Sequence, residues 1–181
     1  MTLSFGVFDH MRQKVQIAPG AVYHPAYLDL AAQLALLGDL RDVIAKAPLY
    51  RPRMPRSDKP FSVRMTNCGP LGWVSDIGGY RYQATHPETG MPWPAIPEAL
   101  LRAWDEIAGI AQEPQACLVN HYAAGTKLGL HQDRDEQEFG APVVSLSLGD
   151  SAIFRFGGET RNAPTRKIKL ESGDAFVFGG P

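Results

Sequence analysis

The chain has 181 residues, with 18 Lys and Arg against 19 Asp and Glu, and a formal net charge of −1. That length suits one domain with a real core, and a near-neutral balance argues against a protein that coats nucleic acid through a uniformly basic surface. No apolar run approaches the roughly 20 residues of a membrane span, the N-terminus lacks a signal-peptide core, and the two cysteines, Cys68 and Cys117, form neither a disulfide framework nor a zinc ribbon. A reducing, cytoplasmic setting and a monomer are the expectation.

Residues 1–24 read as an irregular arm with a short extended piece at Val15–Ile17, closed by Pro19-Gly20. Pro25 fits the first turn of a helix, whose apolar stripe is Leu30, Leu34, Leu37 and Leu40 or Ile44, and which Pro48 ends. From Leu49 to Pro60, prolines alternate with basic residues. Arg51, Arg53, Arg56, Lys59 and Arg64 crowd there against the single acid Asp58, and Arg161, Arg166, Lys167 and Lys169 form a second group. Each is a solvated loop or a local rim for phosphates.

A strand is expected over Phe61–Thr66. Trp73, Tyr80 and Tyr82 follow in a Gly-rich stretch, read as a loop, where they pack over the core edge or form a stacking platform for a flat ligand. A second helix is expected from Pro97-Glu98, its apolar face made of Leu100, Leu101, Trp104, Ile107 and Ala108, with Trp104 in the core. From Ala116 the period changes. β-rich runs at 116–122, 128–133, 142–148, 151–156, 165–170 and 175–178 alternate with turn signals, the pattern of a sandwich or jelly roll.

The run Leu128-Gly129-Leu130-His131-Gln132-Asp133 carries the chemistry. On a strand, His131 and Asp133 leave the same face, which is two-thirds of the two-His-one-carboxylate triad that holds non-haem Fe(II). The competing reading is a surface His-x-Asp in a polar loop. On the strand 116–122, alternation puts Leu118, Asn120 and Tyr122 on one face and Cys117, Val119 and His121 on the other. An apolar side chain, an amide and a phenol together suit a cavity for a small dicarboxylate better than plain core. Ser145 and Ser147 share a face that lines the same cavity or meets solvent.

Asn120-His121-Tyr122, His131-Gln132-Asp133, the stretch Met65-Thr66-Asn67-Cys68-Gly69-Pro70-Leu71-Gly72-Trp73, the run Pro142–Gly149 and Ile153-Phe154-Arg155-Phe156-Gly157-Gly158 occur in one order. Together they resemble the AlkB family of Fe(II)- and 2-oxoglutarate-dependent dioxygenases that dealkylate nucleobases. The resemblance covers the chain from about Met65 onward and, more weakly, the first helix. It implies a mostly β fold with flanking helices, a double-stranded β-helix. The chain is expected to be one domain: arm, helix and basic loop over 1–60, a nucleotide-recognition lid over 61–95, and the jelly-roll core over 96–181.

The resemblance further implies His131 and Asp133 as metal ligands, and Leu118, Asn120, Tyr122 and Ser145 around 2-oxoglutarate. Trp73, Tyr80 and Tyr82 would clamp the base and its strand, Asp135 would accept from an exocyclic amine, and Arg161 would contact substrate. The implied reaction is oxidative demethylation of alkylated bases in single-stranded or base-flipped DNA, or in RNA, with release of formaldehyde, succinate and CO2. The alternatives are a non-catalytic nucleic-acid-binding relative and a jelly-roll dioxygenase acting on a small molecule or a protein. The family places its second metal-binding His beyond the strand 175–178 and two anchoring arginines later still. The expectation is therefore a jelly roll truncated at its C-terminus that binds iron and co-substrate poorly.

Overall fold

A computed structural model describes residues 14–131, 140–157 and 163–179. Among these the chain is mostly β with two helices. Strands β1 (Val15–Ala18) and β2 (Ala21–His24) form a hairpin around Gly20, whose φ of 65° is open to glycine at no steric cost. The arm expected before residue 25 is thus a pair of strands, and β2 is a full member of a sheet. It pairs antiparallel with β10 (Ala175–Gly179), which pairs in turn with β7 (Pro142–Leu146), giving the order β1-β2-β10-β7.

The first helix, α1 (Leu30–Lys46), does not begin at Pro25. Ala26 sits at φ 48° and gives its N–H to Asp174 Oδ1 at 2.8 Å, so Pro25 opens a turn instead. Asp29 caps the helix, its carboxylate accepting from Ala32 N at 2.8 Å. The expected stripe is also corrected. Leu30 and Leu34 are 70% and 62% exposed, while Leu36 and Val43 are buried at 1% and 4%. The helix is apolar on more than one side, and packing against Tyr27, Leu28, Ala103 and Ala175 selects the Leu36 side.

The second helix, α2 (Glu98–Ile107), runs close to its expected span, but its buried residue is Ala103. Trp104, expected in the core, is half-buried, and its indole N–H reaches the Gln112 carbonyl at 2.8 Å. The tryptophan that enters the core is Trp93, with Ala47, Tyr50 and Val74.

The four-stranded sheet is covered on both faces. Ala175 faces the helices, while its neighbour Phe176 packs with Ile168, Leu170, Phe154 and Phe156 from the antiparallel pair β8 (Ala152–Gly157) and β9 (Thr165–Leu170). Successive strand residues point to opposite faces, so one strand serves two apolar layers. Asp174 ties the entry to β10: it is 4% exposed and accepts from Tyr23 Oη at 2.6 Å, Glu171 N at 2.7 Å and Ala26 N at 2.8 Å. Two smaller antiparallel pairs complete the chain: β3 (Arg64–Cys68) with β6 (Cys117–His121), and β4 (Gly72–Asp76) with β5 (Gly79–Gln83). No helix among the described residues is long and apolar enough to cross a membrane.

Candidate active site

The β3–β6 pair sets out the first half of the site. Asn67 lies opposite Leu118 and Met65 opposite Asn120, so these four side chains share one face, while Thr66, Val119, Cys68 and Cys117 share the other. The second face is closed along β3: Thr66 Oγ1 donates to Ala47 O at 2.8 Å, and Cys68 is fully buried. Its thiol is pushed up by a hydrogen bond with Cys117 and by burial, so it stays protonated at neutral pH and is no nucleophile. The first face is open on β6, while its β3 members Met65 and Asn67 are buried. Leu118 is 38% exposed, Asn120 is exposed, and Tyr122, one residue past the strand, is half exposed, with desolvation holding its phenol pKa up. Here the structure matches the alternation read from the sequence for Leu118 and Asn120, which share one side of β6, while Tyr122 follows just past the strand's end. His121 points the other way, its Nδ1 3.5 Å from the guanidinium of Arg64.

The aromatics expected in a loop are instead on the β4–β5 hairpin. Trp73 pairs with Tyr82 and Ser75 with Tyr80, which puts all three rings on one face of a rigid ribbon. Trp73 and Tyr80 are stacked, with ring centroids 5.6 Å apart and planes 21° from parallel, and Phe61 meets Trp73 edge-on at 6.2 Å. The strand expected over Phe61–Thr66 begins later, at Arg64.

The basic segment is fastened along this hairpin. Arg53 N donates to Ser75 O at 2.9 Å, and Ser75 Oγ returns the bond to Arg53 O at 2.6 Å. Two of its cations are committed. Arg51 donates to the carbonyls of Phe61 and Ser62, and Arg53 forms a two-pronged pair with Asp58 that holds the Asp58 carboxyl below its ordinary pKa. Arg56 and Lys59 stand exposed on the same loop.

His131 corrects one expectation. Residues 126–131 form no strand, so strand alternation does not place this ring, and Asp133 lies outside the described residues, as do Asp135 and Arg161. The ring is oriented by a local bond instead: His131 Nδ1 lies 2.7 Å from the Gly129 carbonyl. A carbonyl only accepts, so Nδ1 carries the proton and the ring's lone pair is on Nε2, the tautomer that ligates a metal. Among the described residues no group of three His, Cys, Asp or Glu side chains converges. Ser145 sits on β7 opposite Phe176, in a different sheet from Asn120 and on the face turned toward β8–β9.

Three residues of the site escape a reading of the sequence: Tyr50, Asn67 and Gly72. Asn67 is fully buried and binds both backbone groups of Trp73. A polar pair, Thr66-Asn67, inside a buried strand was the available signal, since such groups must find partners.

This arrangement belongs to a known class. A family model described as the 2OG-Fe(II) oxygenase superfamily matches residues 20–181, and the chain belongs to that superfamily. Within it the chain is a member of the AlkB family. It is 47% identical over 165 residues to the alpha-ketoglutarate-dependent dioxygenase AlkB homolog of Caulobacter vibrioides, covering 91% of this chain and 74% of that protein. It is 31% identical over 188 residues to the DNA N(6)-methyladenine demethylase ALKBH1C of Arabidopsis thaliana, covering 91% of this chain and 40% of that protein. The solved structure of OsALKBH1 superposes with a TM-score of 0.74 at 30% identity, over 93% of this chain and 83% of that one. The chain is therefore an Fe(II)- and 2-oxoglutarate-dependent dioxygenase. Among the described residues, the donors suited to these groups are the imidazole of His131, held in its metal-binding tautomer, and the exposed amide of Asn120 with the phenol of Tyr122.

Proposed function

We propose that this dioxygenase demethylates N-alkylated nucleobases in single-stranded or base-flipped DNA, within a double-stranded β-helix. The observation that carries the substrate class is the Trp73–Tyr80 stack, half-buried to exposed on a hairpin that shares its neighbourhood with the open face of β6. A flat ring surface contributes about 1–3 kcal/mol per base without reading its sequence. Arg56 and Lys59, on the loop fastened along the same hairpin, supply charge for the phosphates. The Arabidopsis relative, named as a DNA demethylase, supports the same class.

In this reading His131 and Asp133 hold Fe(II), and Asn120 and Tyr122 donate hydrogen bonds to 2-oxoglutarate, with Leu118 beside them. When bound, the metal and co-substrate supply with O2 the oxidising equivalents that hydroxylate the N-methyl group, which leaves as formaldehyde. The chain's own task is placement. Trp73, Tyr80 and Tyr82 hold the base that has left its stack, at an unstacking cost of a few kcal/mol. Asp135 accepts from its exocyclic amine, and Arg161 contacts the strand. The phenol of Tyr122, kept protonated by desolvation, stays a donor at neutral pH.

The test is formaldehyde and succinate release with Fe(II) and 2-oxoglutarate, on a methylated single strand, its unmethylated twin and an N-methylated peptide. Turnover on the methylated strand alone is expected. Equal turnover on the peptide would point to a protein demethylase, and tight binding of the strand without succinate would point to a non-catalytic binder.

A further inference from the structure

We infer that Asn67 is a positioning residue for substrate, acting through Trp73; the inference rests on the stacking role proposed above. Strands β3 and β4 are consecutive in the chain but are not paired in any sheet. What joins them is one side chain. Asn67 Oδ1 accepts from Trp73 N at 3.0 Å, and Asn67 Nδ2 donates to Trp73 O at 3.0 Å, so the amide stands in for a strand partner at that single residue. A primary amide carries a donor and an acceptor side by side at every pH, as this bond pair requires, and Asn, the shorter of the two amide residues, matches the tight approach of the strands.

Three further observations make this a built clamp. Asn67 has no exposed surface, so the amide has no competing water. Tyr50 Oη donates to the same Trp73 carbonyl at 3.3 Å, and burial pushes its pKa up, keeping it a donor. Gly72, the residue before the clamped one, admits no side chain: a Cβ there would lie 2.5 Å from the Trp93 ring and 2.7 Å from the Asn67 Cβ. The backbone at 72–73 is therefore seated between Asn67 and Trp93 with both polar groups of Trp73 taken.

The consequence concerns orientation. Asn67 shares its face of β3–β6 with Leu118, next to Asn120, so the clamp ties the stacking ring to the strand that receives the co-substrate. A base stacked on a ring fixed in this way is presented at one height and angle relative to β6. Loss of the clamp leaves the ring present but loosely aimed, which weakens capture of the strand more than turnover of what is captured.

The experiment is a double-mutant cycle on the enzyme: wild type, Asn67→Leu, Trp73→Ala and the double variant. Its readouts are KM and kcat for a methylated single-stranded oligonucleotide, KM for 2-oxoglutarate and thermal midpoint. Asn67→Leu keeps the size and loses both the acceptor for Trp73 N–H and the donor to the Trp73 carbonyl. The expected result is a rise of about tenfold in oligonucleotide KM, within the roughly 5- to 150-fold that a base stack carries. KM for 2-oxoglutarate and kcat are expected to move less than about twofold, and the Asn67 effect is expected to vanish once Trp73 is Ala. Tyr50→Phe, which removes only the second bond to the same carbonyl, should give a smaller shift of the same kind, also absent without Trp73, and serves if Asn67→Leu does not fold. Full additivity of the Asn67 or Tyr50 effect with Trp73→Ala overturns the clamp while leaving the stacking role intact. An unchanged oligonucleotide KM in Trp73→Ala overturns the stacking role itself, and the inference with it.

Discussion

Replacing Asp174 by Ala should be among the costliest single changes in this chain. The carboxylate is 4% exposed and accepts three hydrogen bonds, from Tyr23 Oη, Glu171 N and Ala26 N, at 2.6–2.8 Å. Alanine leaves two backbone N–H groups and one phenol without that partner, and each buried donor left unmade costs about 1–3 kcal/mol. Water reaches part of this corner because the Tyr23 side is half-buried, so we expect a total of about 3–5 kcal/mol. In a domain of this size 1 kcal/mol moves the thermal midpoint by about 2–4 °C, which gives a fall of roughly 6–20 °C by calorimetry or circular dichroism. Asp174→Asn should be milder, at about 1–3 kcal/mol. Its oxygen can serve Tyr23 and Glu171 together, while its NH2 is left facing the Ala26 N–H. A drop under about 3 °C for Asp174→Ala, or a larger drop for the Asn variant, would refute the account of Asp174 as the tie between β10, β2 and the turn before α1.

The same corner sets an alkaline limit. Tyr23 is raised from 10.0 to about 12, first by burial and then by its bond to Asp174. Its contribution is therefore whole below pH 10 and lost as pH climbs from 10 toward 12; Tyr23→Phe should lack that part of the decline in denaturant titrations. On α1, Leu36→Ala should cost about 2–5 kcal/mol, whereas Leu34→Ala, on the 62%-exposed side, should stay within about 0.5 kcal/mol; the reverse order would restore the stripe expected from sequence. Gly72→Ala should cost about 1–3 kcal/mol or more by overpacking against Trp93 and Asn67 and should raise the oligonucleotide KM as well; a variant with unchanged melting would show that the approach is looser than described. His131→Ala should abolish succinate release yet melt within about 1 °C of wild type, because the ring is exposed and its bond to the Gly129 carbonyl lies within its own loop. Residual turnover at a few per cent or more would remove it from the metal site.

The strands after residue 140 and the division of β6 into two unlike faces were legible in the sequence, because a period of two is a local property of the chain. β9 begins and ends at the expected residues, 165 and 170. The stretch from Met65 to Trp73 and the His-x-Asp pair carried the family for the same reason: they are short, contiguous and chemically unusual. Tertiary structure decided what local pattern could not. It chose which side of a Leu-rich helix to bury, since Leu30, Leu34 and Leu36 are equally apolar and only the neighbours of α1 distinguish them. It turned the residues around Pro25 into a turn by spending the Ala26 N–H on an aspartate 148 positions away. It made a rigid hairpin of what reads as a Gly-rich loop and set its leading tryptophan on the amide of Asn67. Hydrogen bonds and contacts between distant segments leave no periodic trace, so a site assembled by them is seen only when the chain is folded.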